Sequence, residues 1–383
     1  MPSLLRDEAA SSAAMLAAFG DDTLVRAALD FEAALARASA AEGLITPAAA
    51  QMIGEACAAI SIDTAELASE AAHAGTLAIP LVGRLREHLA RRRPDVAALV
   101  HRGATSQDLA DTALMLQAKA GSALIASEAR AVTEALARLA EAHAETPMLG
   151  RTLLQAAAPI TFGLKAAGWL LGLDAARRRF ERESAVALRL QLGGATGSLA
   201  GLNLAVVTRM ARELDLEPAS LPWHSRRDGI AGLAAALAIL IGAAGKVARD
   251  ISLMAQDEIA EAFEPRTPGR GGSSAMPHKR NPTGCQVVLS AAIRAPALAS
   301  AILFGLPQEH ERGLGGWQAE GPSLASLFEL AHGALSALRP VVEGLEVDAA
   351  AMRRNLSAAD VGDDAGHSVA LVHRALAEYR GTS

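Results

Sequence analysis

Between Gly269 and Pro282 the chain reads Gly-Arg-Gly-Gly-Ser-Ser-Ala-Met-Pro-His-Lys-Arg-Asn-Pro. Three glycines in the first four positions give a backbone able to enter positive φ and to move. Ser273 and Ser274 supply hydroxyls; His278, Lys279, Arg280 and Asn281 then add positive charge and amide donors before Pro282 restricts the chain. Such an arm can close over a polyanionic small molecule. Composition alone equally allows an ordinary surface loop. A nucleotide P-loop is excluded, because no Lys-Ser/Thr pair ends the glycine run.

Three other polar stretches invite the same question: His101–Asp108, Gly150–Gln155 and Gln308–Glu320. In the first, Thr105 and Asp108 have the spacing of a capping pair. A helix starting there would also offer unpaired N–H groups and a positive dipole end to a carboxylate. His101 and Arg102 stand before that start and Ser106 just after it. In the fourth stretch, charges alternate with glycines around Gln308, His310, Arg312, Trp317 and Glu320.

Long helices must position these stretches. Alanine fills 89 of 383 positions and aromatics only 3%, which favours closely packed helices over sheets. Leu109, Ala113, Leu116, Ala120 and Leu124 define one helix face in a run extending to about His143, with Gly121 a candidate bend. Further long candidates cover Pro159–Leu190, Asp228–Phe263, Gly284–Phe304 with an interruption at Pro296, and Leu324–Leu345. Earlier helices are shorter: Thr46-Pro47 reads as an N-cap with proline at the first helical position, its helix ending near Asp63. The expected fold is all-α, an elongated central bundle with smaller helical ends divided at 1–104, 105–345 and 346–383. Ala-rich helices bury modest area per turn, so association with further copies is expected.

Composition narrows the partners. With 36 Lys+Arg against 42 Asp+Glu, the net charge is −6. Arg91–Arg93 and Arg177–Arg179 read as solvated helix ends or faces rather than a phosphate track, so nucleic acid is not an expected partner. Cys57 and Cys285 lack disulfide or metal spacing and read as buried small residues. The opening residues show no secretory pattern, and the apolar run Ile230–Ile241 is too short to span a bilayer. A cytoplasmic protein without membrane partners is expected.

The stretch Gly272-Ser273-Ser274-Ala275-Met276-Pro277-His278-Lys279-Arg280-Asn281-Pro282 resembles the signature loop of the fumarase/aspartase superfamily, which includes adenylosuccinate and argininosuccinate lyases. His101–Asp108 resembles that superfamily's first active-site region and Gly150-Arg151-Thr152-Leu153-Leu154-Gln155 its second, all in the superfamily's order. Within it, Met254–Glu258 and Gln308–Arg312 running into Gly316–Glu320 are most similar to a cycloisomerase branch. That branch lactonises a tricarboxylate diene from protocatechuate breakdown.

The resemblance implies a homotetramer with each site assembled from three chains, a di- or tricarboxylate substrate, and no metal or organic cofactor. It assigns proton transfer to Ser273, on an arm whose N–H groups and Lys279 stabilise an alkoxide once solvent is removed. It implies that Lys279 and Asn281 hold a substrate carboxylate, with Met276 and His278 beside them. His101, Arg102, Thr105, Ser106, Arg151, Thr152, Gln155 and Arg312 complete the implied substrate contacts, an ion pair being the alternative for Arg151. Hydrating and amine-eliminating relatives normally carry histidine where this chain has Leu153, which cannot exchange protons. An intramolecular carboxylate nucleophile, ionised near neutrality, needs no such base. The rival readings are an adenylosuccinate-lyase-like elimination and a non-catalytic helical scaffold.

Overall fold

The computed structural model describes residues 9–272, 276 and 279–381. Among the described residues six helices come first: α1 (Ala13–Ala18), α2 (Asp21–Ala41), α3 (Pro47–Ala59), α4 (Thr64–Ala74), α5 (Ala78–Ala90) and α6 (Pro94–Ala97). Thr46 caps α3 as its sequence predicts, its hydroxyl accepting from Ala49 N at 3.2 Å. That helix stops at Ala59 rather than near Asp63, because the Asp63 carboxylate instead accepts from Ala65 N and Glu66 N and starts α4.

Four of the five long helices then build the body: α7 (Ser106–Ala142), α8 (Phe162–Ala187), α10 (Asp228–Met254) and α12 (Gly316–Glu343), with α11 (Thr283–Phe304) as the fifth packed against α10 and α12. The short α9 (Leu204–Glu213) leans on α2, and α13 (Ala349–Ala358) and α14 (Ser368–Gly381) close the chain. The helical architecture is the expected one, with one addition: β1 (Pro147–Thr152) and β2 (Gln155–Thr161) form an antiparallel hairpin between α7 and α8. A second two-residue ribbon joins β3 (Ala262–Phe263) to β4 (Glu346–Val347).

Small residues set how closely the helices approach. Gly121 lies within unbroken α7, where a Cβ would come within 2.8 Å of the Phe19 ring and 2.9 Å of Phe328. It is a close-packing position, not a bend. Pro296 likewise does not interrupt α11: it sits on the exposed side while Ala295 and Ala299 bury the other face. Burial outweighs the missing amide, and α12 tolerates Pro322 and Pro340 in the same way. α10 ends at Met254, short of the Phe263 expected, yet its apolar stretch outruns Ile230–Ile241, and both α10 and α11 have the length and apolarity to cross a membrane. In α10 that apolarity fills the bundle, with Leu233, Leu237, Leu240, Ala244 and Val247 fully buried. α11 is different: Ile293 and Phe304 stand 75% and 86% exposed.

Charge is also buried. Arg177, expected on a solvated face, is enclosed between Asp174 and Glu181, one turn away on either side along α8. Arg227, 1% exposed at the N-cap of α10, donates to both oxygens of Asp111 on α7 at 2.8 and 2.9 Å, and to Glu320 on α12. Its guanidinium also lies 4.7 Å from the Trp223 ring centroid. One arginine thereby ties three long helices. Replacing Arg227 by Leu leaves two carboxylates facing each other in the core; urea unfolding is expected to show a loss of about 3–5 kcal/mol.

The N-terminal segment docks on α12 through His332, whose Nδ1 lies 3.0 Å from Ser12 Oγ and 3.3 Å from Ser336 Oγ. Burial lowers the His332 pKa below its ordinary 6.5, and burial lowers that of His143 as well. The folded state therefore binds fewer protons than the unfolded chain below that pH, and stability falls as pH drops through 6.5 and under it. The urea midpoint should be lower at pH 5.5 than at pH 7.5, and His332→Gln should flatten that dependence.

Candidate active site

The first region is organised by a buried carboxylate. Asp108, at the third position of α7, accepts from Thr105 N, Gly193 N and Gly194 N, each at 2.9 Å, and from His224 Nε2 at 2.6 Å. The capping role read from the sequence is thus one part of a larger node. Thr105 Oγ1 accepts from Arg312 Nη1 at 2.7 Å, and Arg312 Nη2 donates to the carbonyls of Gly194 and Ala195. Two stretches over 200 residues apart in sequence meet here. Ser106 opens α7 beside Thr105, and Arg102 is exposed, reaching the Leu44 carbonyl at 3.4 Å. His101 Nδ1 meets Glu32 Oε1 at 2.5 Å.

The second region is the hairpin. Thr152 and Gln155 pair across its two-residue turn and both are exposed. The turn residues Leu153 and Leu154 have φ of +50° and +65° and are 97% and 78% exposed. Positive φ at both central positions is the backbone of a tight hairpin turn that favours Asn-Gly. Leucine there costs on the order of 1–2 kcal/mol per residue. Strain and exposed apolar surface coincide at this tip. Arg151 occupies the ion-pair alternative: Nη1 and Nη2 each lie 2.8 Å from an oxygen of Glu261, which is fully buried and also accepts from Asn355 Nδ2 at 2.9 Å.

The third region begins and ends on firm anchors. Asn281 N donates to Gly271 O at 2.9 Å and Asn281 Nδ2 to Gly272 O at 3.4 Å, drawing the two ends of the arm together. Gly271 needs to be glycine: its φ is +72° and a Cβ would lie 2.7 Å from Asn281 O. Arg280 is a structural tie, donating to Glu264 O and Glu346 and lying 4.9 Å from the Phe263 ring centroid. Lys279 and Met276 are exposed, Lys279 N donating to Met276 O. Ser273 and His278 lie outside the described residues. Two clefts of about 1060 and 340 Å³ flank the arm and share Thr267, Arg270 and Asn281. Arg294 lines the larger and Lys279 the smaller, so both suit an anion. Among the described residues no cluster of three or more His, Cys, Asp or Glu side chains could hold a metal ion. Both thiols are buried, and burial pushes that of Cys57 up to about 12.

Asp108's full role, His224 and Glu32 were not singled out from the sequence. Glu32 did leave a trace, as a charged residue at helical spacing between Ala28 and Leu35. His224 left none.

Fold and site together define a lyase: the lyase family model matches residues 8–296, and the chain belongs to that family. Within it, the chain is similar to enzymes acting on carboxymuconate. It is 51% identical over 352 residues to the 3-carboxy-cis,cis-muconate cycloisomerase of Bradyrhizobium diazoefficiens, covering 91% of this chain and 78% of that one. The crystal structure of the 3-carboxy-cis,cis-muconate lactonizing enzyme from Pseudomonas putida superposes with a TM-score of 0.93 at 38% identity, covering 100% of both chains. A nitrosuccinate lyase of Streptomyces davaonensis is 42% identical, over 89% of this chain and 74% of that one.

The Arg151 geometry generates a direct test. Arg151→Ala strips Glu261 of its bidentate partner and is expected to lower stability by about 3 kcal/mol in urea unfolding. A variant that unfolds like the parent would return Arg151 to the substrate.

Proposed function

We propose that this chain is a cofactor-independent cycloisomerase interconverting 3-carboxy-cis,cis-muconate and carboxymuconolactone. The observation that carries the reading is Leu153, 97% exposed at the hairpin tip, where the resemblance to the superfamily implies a histidine in amine-eliminating members. A side chain without an ionisable group supplies neither acid nor base to a leaving amine. A carboxylate nucleophile within the substrate, with a reference pKa near 4, requires neither. Holding both partners in one molecule also removes much of the entropic barrier.

In the forward direction one carboxylate oxygen forms a C–O bond to an alkene carbon. The π pair moves toward the adjacent carboxylate, giving an aci-carboxylate. The Ser273 O–H bond then breaks to deliver its proton to carbon, and solvent reprotonates the alkoxide. Ring opening reverses each step. Lys279 and Asn281 hold the carboxylate on which charge grows, donors being worth most where charge develops. Thr105, Ser106 and the α7 N-terminus receive a second carboxylate, with His101, Arg102, Thr152, Gln155, Met276, His278 and Arg312 completing the pocket.

A homotetramer in which different copies supply the three regions belongs to the same reading. Leu153, Leu154, Ile293, Phe304 and Leu314 support it, being large apolar side chains left exposed on the single chain. A cytoplasmic location is supported by two free, buried thiols.

Purified protein offered carboxymuconate should remove the conjugated-diene absorbance, while adenylosuccinate and nitrosuccinate should release no fumarate. Ser273→Ala should lower turnover by on the order of 10³-fold or more with oligomer size unchanged. Normal turnover in that variant removes Ser273 from the mechanism, and fumarate release replaces lactonisation with β-elimination.

A further inference from the structure

Behind the first region lies a buried contact that the reaction above does not use. Glu32 is in the middle of α2, 1% exposed, at a position where helical spacing calls for an apolar residue. Oε1 meets His101 Nδ1 at 2.5 Å, and Oε2 is buried with no hydrogen-bond partner among the described residues. Burying a carboxylate is unfavourable unless a strong partner offsets it, and only one of its two oxygens has such a partner. His101 carries a second unfavourable feature. Its φ is +61°, left-handed for a residue with a side chain, four positions before Thr105. Backbone strain of this kind persists where surrounding contacts over-determine the residue, and it gathers at functional sites. The ring also lies beside Phe31, its centroid 6.4 Å away. An incompletely satisfied carboxylate and a strained backbone therefore converge on the orientation of one imidazole.

We propose that Glu32 is a positioning residue for His101. By accepting Nδ1–H, the carboxylate fixes the ring plane and the tautomer, and it leaves Nε2 as the nitrogen available to a ligand. A buried hydrogen-bond partner on the far nitrogen is how proteins set which imidazole nitrogen does the work. The inference rests on the substrate-binding role proposed for His101, but its test does not need the substrate.

Two measurements decide it. In histidine-labelled protein, the nitrogen spectrum should show His101 protonated at Nδ1, the signal being assigned by its loss in His101→Asn. Glu32→Leu should move that proton to Nε2 or average it over both nitrogens. An unchanged His101 spectrum in Glu32→Leu overturns the proposal. The isosteric Glu32→Gln, whose carbonyl still accepts from Nδ1–H, should retain the tautomer and serves as the folded control. In steady-state kinetics on carboxymuconate, Glu32→Leu should lower kcat/KM about 10-fold or more, chiefly through KM. His101→Asn should do the same, and the double variant should be no worse than His101→Asn alone. Losses that multiply would mean Glu32 acts independently of His101, which also overturns the proposal. A parent enzyme inert toward carboxymuconate would instead count against the function proposed above, and the nitrogen spectrum would still decide the role of Glu32.

Discussion

Four donors converge on the carboxylate of Asp108, and the arrangement of the first candidate region depends on that convergence. Thr105 N, Gly193 N, Gly194 N and His224 Nε2 come from three separate segments of the chain. A fully buried carboxylate is tolerable only when its lone pairs are filled, so the segments cannot drift apart independently. The same node leaves the carbonyls of Gly194 and Ala195 facing Arg312, which in turn reaches Thr105. The start of α7 is thereby held as a fixed donor surface rather than a frayed helix end.

A second layer of buried charge supports that surface from below. Arg227 spans Asp111 and Glu320, one turn into α7 and α12 respectively. Desolvation pushes the Glu320 carboxyl upward in pKa while Arg227 opposes the shift. The rest of the bundle core is rich in alanine and leucine, which pack closely but specify register weakly. An arginine shared by two carboxylates distinguishes one register from its neighbours, at some expense in desolvation.

The hairpin and the arm work on a different principle. Leu153 and Leu154 combine left-handed backbone with large exposure, so among the described residues no packing covers the side chains at that tip. The arm between Gly271 and Asn281 is closed at its base by backbone hydrogen bonds and by Arg280 on Glu346.

How much of this was legible in advance follows from the range of the interactions concerned. Helix caps, apolar periodicity and glycine-serine-cation clustering are local, and Thr46, Thr105 and the Gly269–Pro282 arm could be read from neighbouring residues alone. The helical class and the signature loop followed from the sequence for that reason. Burial is not local. Pro296 looked like a break until its exposed side was known, and Gly121 looked like a bend until Phe19 and Phe328 were seen against it. Arg177 read as a surface charge because its burial, unlike its same-helix partners Asp174 and Glu181, arises only when α8 is packed. The hairpin at 147–161 had no strand signal strong enough to separate it from a polar connection. What tertiary structure alone decided was which distant groups meet: Arg312 with Thr105, Arg151 with Glu261, His224 with Asp108 and His101 with Glu32. Hydrogen bonds select partners by position in space, and no spacing along the chain encodes a contact made across 69 to 207 residues.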